Sequence, residues 1–131
     1  MPLALFIIVV MGVLALTISR TAIQTQNTSI QEYTNVQAFY AAESGAQRGM
    51  QRLFFNTDIT RASVTTRCTN LNETFNLNTI NGLRSCTAQV RCVAAADVTN
   101  VSTFYRITSV GQCGQNEFIS ERTIEVGAHQ E

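Results

Sequence analysis

Lysine is absent from this chain, and proline and histidine occur once each, at Pro2 and His129. All nine cations are therefore arginine and are balanced by nine acidic residues, so the formal charge is zero. No basic run in the sequence calls for nucleic acid. The single histidine stands in "GAHQE" with no aspartate nearby, which reads as a disordered tail rather than a catalytic base. Asp58 and Asp97 are the only aspartates, which excludes a D-x-D calcium loop. No G-x-S-x-G elbow and no phosphate-binding pattern occurs. Enzymatic activity, a metal and a cofactor are accordingly not expected. Helix breakers are scarce as well, with no proline after Pro2 and no glycine from Val13 to Ser44. Nothing interrupts a helical pattern before "NTDIT" at residues 56–60.

The chain has, in place of early charge, a long apolar beginning, "MPLALFIIVVMGVLALTISR", whose first charge is Arg20. As a helix, Met1 to Ser19 would measure about 28 Å, close to the ~30 Å hydrocarbon core of a bilayer. A secretory signal peptide would begin with basic residues and end at a small-x-small site, and both are missing. A buried core helix apolar on every side is unusual in so small a soluble protein. The segment reads as a membrane-inserted helix, with Leu3, Leu5, Phe6, Ile7, Val10, Met11, Leu14 and Ile18 as its apolar surface. Gly12 and Ala15 offer small spots for close helix approach, or are simply tolerated there.

Helical periodicity continues beyond Arg20. Ile23, Ile30, Tyr33, Val36, Tyr40, Ala46, Met50, Leu53 and Phe54 recur at spacings near three, four and seven, with polar residues between them. One helix of about 55 residues would be roughly 80 Å long, against about 11 to 12 residues for an ordinary globular helix. Such a helix needs partners along its length. Residues 1–22 call for lipid or other apolar helices, and residues 23–55 for a domain lying on Tyr33, Val36, Tyr40, Met50, Leu53 and Phe54. In "AESGAQRG", Glu43 with Gln47 or Arg48 forms a solvated face or a subunit contact, and Gly45 and Gly49 could admit a neighbouring helix or a sheet residue.

Residues 56–131 are too few for a generous core, and domains of that size commonly need staples. All four cysteines, Cys68, Cys86, Cys92 and Cys113, lie there, an even number that implies two disulfides in an oxidising compartment. A zinc site is the rival reading, and the intervals of 17, 5 and 20 residues, with no C-x2-C pair, and the single histidine, His129, speak against it. "SCTAQVRCVA" alternates, with Cys86, Ala88, Val90 and Cys92 on one face. "STFYRITSVGQC" reads as its hairpin partner across "ADVTN", with Tyr105, Ile107, Ser109, Gly111 and Cys113 sharing a face. "EFISERTIEVGA" follows the turn-like "GQNE" as a third strand, and a short strand near Ser63 to Cys68 is a further candidate. Cys86 and Cys92 would be about 20 Å apart on an extended strand, far beyond the roughly 7 Å a disulfide spans. Two pairings remain: Cys68 with Cys86 and Cys92 with Cys113, or Cys68 with Cys92 and Cys86 with Cys113. The hairpin sets Cys86 and Cys113 near the same open end and favours the second. The segment "TNLNETFNLNTING", Thr69 to Gly82, is polar and lies between two cysteines, which suits a display loop or a linker. Triplets of the N-x-[ST] type at Asn27, Asn72 and Asn100 would matter in a eukaryotic secretory pathway and are chance matches in a bacterium.

An apolar helix merging into an amphipathic one, with a disulfide-stapled antiparallel sheet on its second half, resembles a type IV pilin. "ALFIIVVMGVLA" and "AFYAAESGAQRGMQRLF" are similar to minor pilins of the MSHA (mannose-sensitive haemagglutinin) pilus, the MshP-like proteins, and more loosely to the PilX-like group. "YRITSVGQCG" and the closing "ERTIEV" fit the end of the same pattern, so the resemblance covers most of the chain. Its most specific parts are "AAESGA" and "GQCG". The resemblance implies an α+β, pilin-like fold and a structural subunit, inserted in the bacterial inner membrane with its head in the periplasm. It further implies later incorporation into, or at the tip of, an extracellular filament. Its implied partners are the major pilin, other minor pilins, the inner-membrane assembly machinery and a prepilin peptidase. Two relatives of this reading are an adhesin-like binding module displayed on the pilus and a pseudopilin of a type II secretion system.

The sequence departs from the pilin pattern at its start. Pilins are made with a short basic leader ending in Gly, and major subunits carry Glu at the fifth mature position. Here no such leader is visible, the fifth residue is Leu5 and the first acidic residue is Glu32. The expectation is that the leader has been removed or that the true start lies upstream. A buried Glu in an apolar filament core is costly unless it meets a cation, usually the neighbouring subunit's terminal amine. A subunit without it suits a place at or near the tip.

Overall fold

The computed structural model describes residues 2–99, 101–116 and 118–131, and side chains throughout these except at Pro2 and residues 21–28. The expectations placed on Met1, on the Ile23 and Asn27 side chains and on Asn100 lie outside the described residues. The elements are α1 (Pro2–Phe54), α2 (Arg61–Asn70), β1 (Asn72–Asn76), β2 (Cys86–Ala96), β3 (Thr103–Gln115) and β4 (Phe118–Gln130). The chain forms two compact units, one ending at Tyr33 and one running from Thr34 to Glu131.

In the first unit the stretch Leu3–Arg20 has a mean hydropathy of 2.4 and is, by length and composition, apolar enough to cross a membrane. Helix is the fitting backbone for such a sequence, since it satisfies its own N–H and C=O groups where water cannot. A polar side chain there finds its partner within the helix: Thr17 Oγ1 donates to the Leu14 carbonyl at 2.8 Å.

The second unit is an antiparallel four-stranded sheet in the order β1-β2-β3-β4, with residues 34–54 of α1 on one face. Alternation places Cys86, Ala88 and Val90 of β2, and Tyr105, Ile107, Ser109, Gly111 and Cys113 of β3, on the buried side. The helix meets them through small residues. Ala38, Ala41, Ala42 and Ala46 are buried, and Leu53 closes the stripe at the end of the helix. Val36 and Tyr40, expected to pack on the head, are instead exposed at 53 and 54%, and Tyr33, given the same expectation, falls in the first unit. The physical reason is distance. At Gly111 a Cβ would overlap the Ala38 carbonyl oxygen and the Ala42 amide nitrogen, so the backbones of β3 and α1 nearly touch and only small side chains fit between them. Gly45 serves the same approach from the helix side, where a Cβ would lie 2.9 Å from that of Ala88. Met50, Leu53 and Phe54 do reach the core, where the helix ends over Val90, Tyr105 and Ile107.

The segment after α1 differs from expectation in two places. Residues 63–68 are helix rather than strand, because Val64 and Cys68, four apart, share one buried face. The β-branched threonines are accommodated by back-bonding: Thr65 and Thr66 hydroxyls donate to the carbonyls of Arg61 and Ala62 at 2.8 and 2.9 Å. The polar segment 69–82 contains β1, which pairs with β2 from Asn72↔Arg91 to Asn76↔Thr87 and buries Phe75, with Leu71 and Leu77 buried on either side. Only residues 77–85 remain as turns.

Candidate functional site

The apolar surface of the first unit is the plainest functional feature. Leu3, Leu5, Phe6, Ile7, Val10, Met11, Leu14 and Ile18 are all exposed, and a Cβ at Gly12 would meet nothing. The described part of this segment thus presents hydrocarbon in every direction around its axis, which water does not tolerate over so long a run.

Two disulfides hold the second unit, and among the described residues no cysteine is free. Cys68–Cys92 ties α2 to the sheet, and Cys86–Cys113 joins directly opposed residues of β2 and β3. Arg67 fastens the remaining corner. Its guanidinium donates to the Leu53 carbonyl at 2.6 Å, to the Ser63 hydroxyl at 2.8 Å and to the Asp58 carbonyl, closing the end of α1 onto α2.

Arg48, expected with Glu43 on a solvated face or at a subunit contact, is exposed, and Glu43 is half-buried. The Arg48 cation lies 4.4 Å from the Phe75 ring centroid, while Arg52 pairs with Glu73 at 2.6 Å beside the same ring. Glu43 lines an apolar groove between α1 and β4 with Phe39, Met50, Ile124 and Val126. Of the two glycines in that stretch, both face the sheet: Gly45 meets Ala88 and Val90, and Gly49 meets Val90 and Ile107. His129 is not in a free tail. It is on β4 opposite Phe104, with the two rings 6.1 Å apart.

The acids with shifted titration are turn builders. Asp58 is held below its ordinary range chiefly by the backbone N–H of Thr60, which donates to its carboxylate at 3.0 Å. Asp97 is lowered chiefly by the Thr99 hydroxyl, at 2.7 Å. Both are fully exposed and shape loops. Among the described residues no group of His, Cys, Asp or Glu is placed to hold a metal ion.

Of the small-residue face of α1, the sequence pointed to Ala46 and to Gly45 and Gly49 as places where a sheet residue could approach, but not to Ala38, Ala41 and Ala42 or to their meeting with Gly111. The signal was there, in Ala38, Ala41, Ala42, Gly45, Ala46 and Gly49 at intervals of one, three and four. Comparison of the chain with protein-family models, with curated proteins and with solved structures finds no match.

Proposed function

We propose that the protein is a minor pilin of a type IV, MSHA-like pilus: a structural subunit held in the inner membrane with its head in the periplasm, then drawn into the filament or its tip. The observation that carries this reading is the division of labour within α1. Its Leu3–Ile18 surface is apolar and uncovered, whereas its residues 34–54 are the spine of a disulfide-stapled sheet. Before assembly the apolar surface contacts lipid, and after extraction the same surface contacts the helices of major and minor pilins. Lipid contact is exchanged for helix contact with no covalent bond formed.

Adhesive display has less to recommend it, since the segment 69–82 that would serve as the display loop is largely occupied by β1 and its buried flanks. The deciding experiment is non-reducing intact and peptide mass spectrometry on filaments sheared from cells, beside the membrane fraction. Recovery from filaments with a processed N-terminus and both disulfides intact supports the reading. Recovery from membranes alone, with an unprocessed start, refutes it.

A further inference from the structure

The sheet is unprotected along β4. Its 13 residues pair with β3 on one side, so a long row of backbone donors and acceptors faces outward with no strand beside it among the described residues. Free edges of this length are a recognised invitation to pairing, and proteins usually shorten, bulge or cover them. Beside this edge lies the apolar groove, about 450 Å³ in volume, in which Ile124 and Val126 of β4 face Phe39, Met50 and Phe55 of the α1 side. Phe39 and Phe55 are 48 and 83% exposed there, a large apolar area for a soluble head. A strand added to β4 would project every second side chain over this groove, so edge and groove suit the same occupant.

Charge narrows the occupant. On the opposite face of β4, Glu121 and Glu125 flank Thr123 and are exposed. Glu43 stands in the groove. The ion pair found among the described residues is Arg52 with Glu73, and none of these three acids takes part in it. Cations share this part of the sheet, with Arg91 of β2 in the row of Glu125 two strands away. Arg122 alternates onto the groove side and donates to the Glu121 backbone carbonyl at 3.4 Å. Arg106 of β3 is opposite Gly127, diagonal to Glu125. A second copy pairing through its own β4 would bring the same acids and no outward cation, and with Thr123 on the two-fold axis would set Glu121 against Glu125 twice.

We propose that the β4 edge accepts an extended segment of another protein as a fifth strand. Its alternate residues are apolar and fill the groove, and those between them are basic and meet Glu121 and Glu125. Main-chain hydrogen bonds supply the attachment, and the groove and the two acids supply the selection.

The test uses the full chain in zwitterionic detergent micelles and a fluorescent octapeptide of alternating valine and arginine. Three further peptides serve as controls: one with glutamate for arginine, one N-methylated on the valines and one N-methylated on the arginines. The valine-arginine peptide should bind by anisotropy and slow amide exchange along β4, and one of the two N-methylated forms should lose binding. Glu121→Arg with Glu125→Arg, both at exposed positions, should weaken binding about tenfold, as expected when two cross-strand charge pairs turn repulsive. The same variant should come to prefer the glutamate peptide. Absence of binding to the unaltered chain overturns the proposal. So does binding indifferent to both N-methylations, which is charge attraction without a strand. Self-association seen by sedimentation that protects β4 without peptide also overturns it, since a second copy then takes the edge.

Discussion

Replacing Gly111 by alanine tests whether the head is built on backbone contact between α1 and β3. The added methyl would overlap the Ala38 carbonyl oxygen and the Ala42 amide nitrogen and lie 2.9 Å from the Ala42 Cα. No rotamer change relieves a clash with backbone. Nor can β3 retreat, since Gly111 is locked in register between Ala88 on β2 and Arg122 on β4. The helix must lift, loosening the stripe from Ala38 to Leu53. Overpacking in cores costs about 1–3 kcal/mol, and a backbone clash belongs at the upper end. Stiffening of the unfolded chain by Gly→Ala returns about 0.4–1 kcal/mol, leaving a net loss of about 2 kcal/mol. In urea, with a slope of about 1–2 kcal/mol/M for a head of this size, the midpoint should fall by about 1–2 M. The assay is equilibrium unfolding of the full chain in zwitterionic micelles, followed by the near-ultraviolet signal of buried Tyr105. Gly127→Ala is the control, because a Cβ there meets nothing within 4 Å and should leave the midpoint unchanged or slightly raised. If Gly111→Ala unfolds at the same urea concentration as Gly127→Ala, the close-approach reasoning is wrong.

Three further outcomes follow from the same packing. Removing either disulfide as a Cys→Ala pair should lower stability by about 3.5 kcal/mol from loop-closure entropy, since the sequence separations, 24 and 27, are nearly equal. Amide exchange should then separate the two, with α2 freed by loss of Cys68–Cys92 and held after loss of Cys86–Cys113. Arg67→Ala removes charged donors from the carbonyls of Leu53 and Asp58. It should cost about 1.5–3 kcal/mol and speed exchange in residues 55–60, whereas an unchanged exchange rate there would deny Arg67 its clamping role. Asp58 has a folded pKa below its ordinary 3.8. Its contribution is therefore fully present above pH 3.8 and is lost as pH falls through the lower folded value. Asp58→Asn should flatten that acid limb of the stability curve, and an unaltered limb would count against the Thr60 hydrogen bond as its cause.

Much of the architecture was legible because its physics is local. Strand alternation from Cys86 and from Tyr105 named the buried faces of β2 and β3 in advance, and the reach of an extended strand forbade a Cys86–Cys92 bond. The run Leu3–Arg20 is long and apolar enough to cross a membrane, and its length and composition alone say so. Where the reading failed, two local signals competed. Threonine-rich residues 63–68 favoured a strand until Val64 and Cys68 found a common burial face, and polar residues hid Leu71, Phe75 and Leu77 within an apparent loop.

The sequence by itself determined the uninterrupted helix, the alternating strands and the apolar segment, each set by the spacing of residues along one element. Which face of α1 meets the sheet was decided only in three dimensions. Periodicity finds a stripe but does not weigh a stripe of alanines against one of tyrosines. That choice depends on how closely two backbones approach, and here Gly111 lets them come near enough that Ala38 and Ala42 go inside while Val36 and Tyr40 stay out. The same tertiary choice leaves β4 at the margin of the helix, its edge and its groove uncovered.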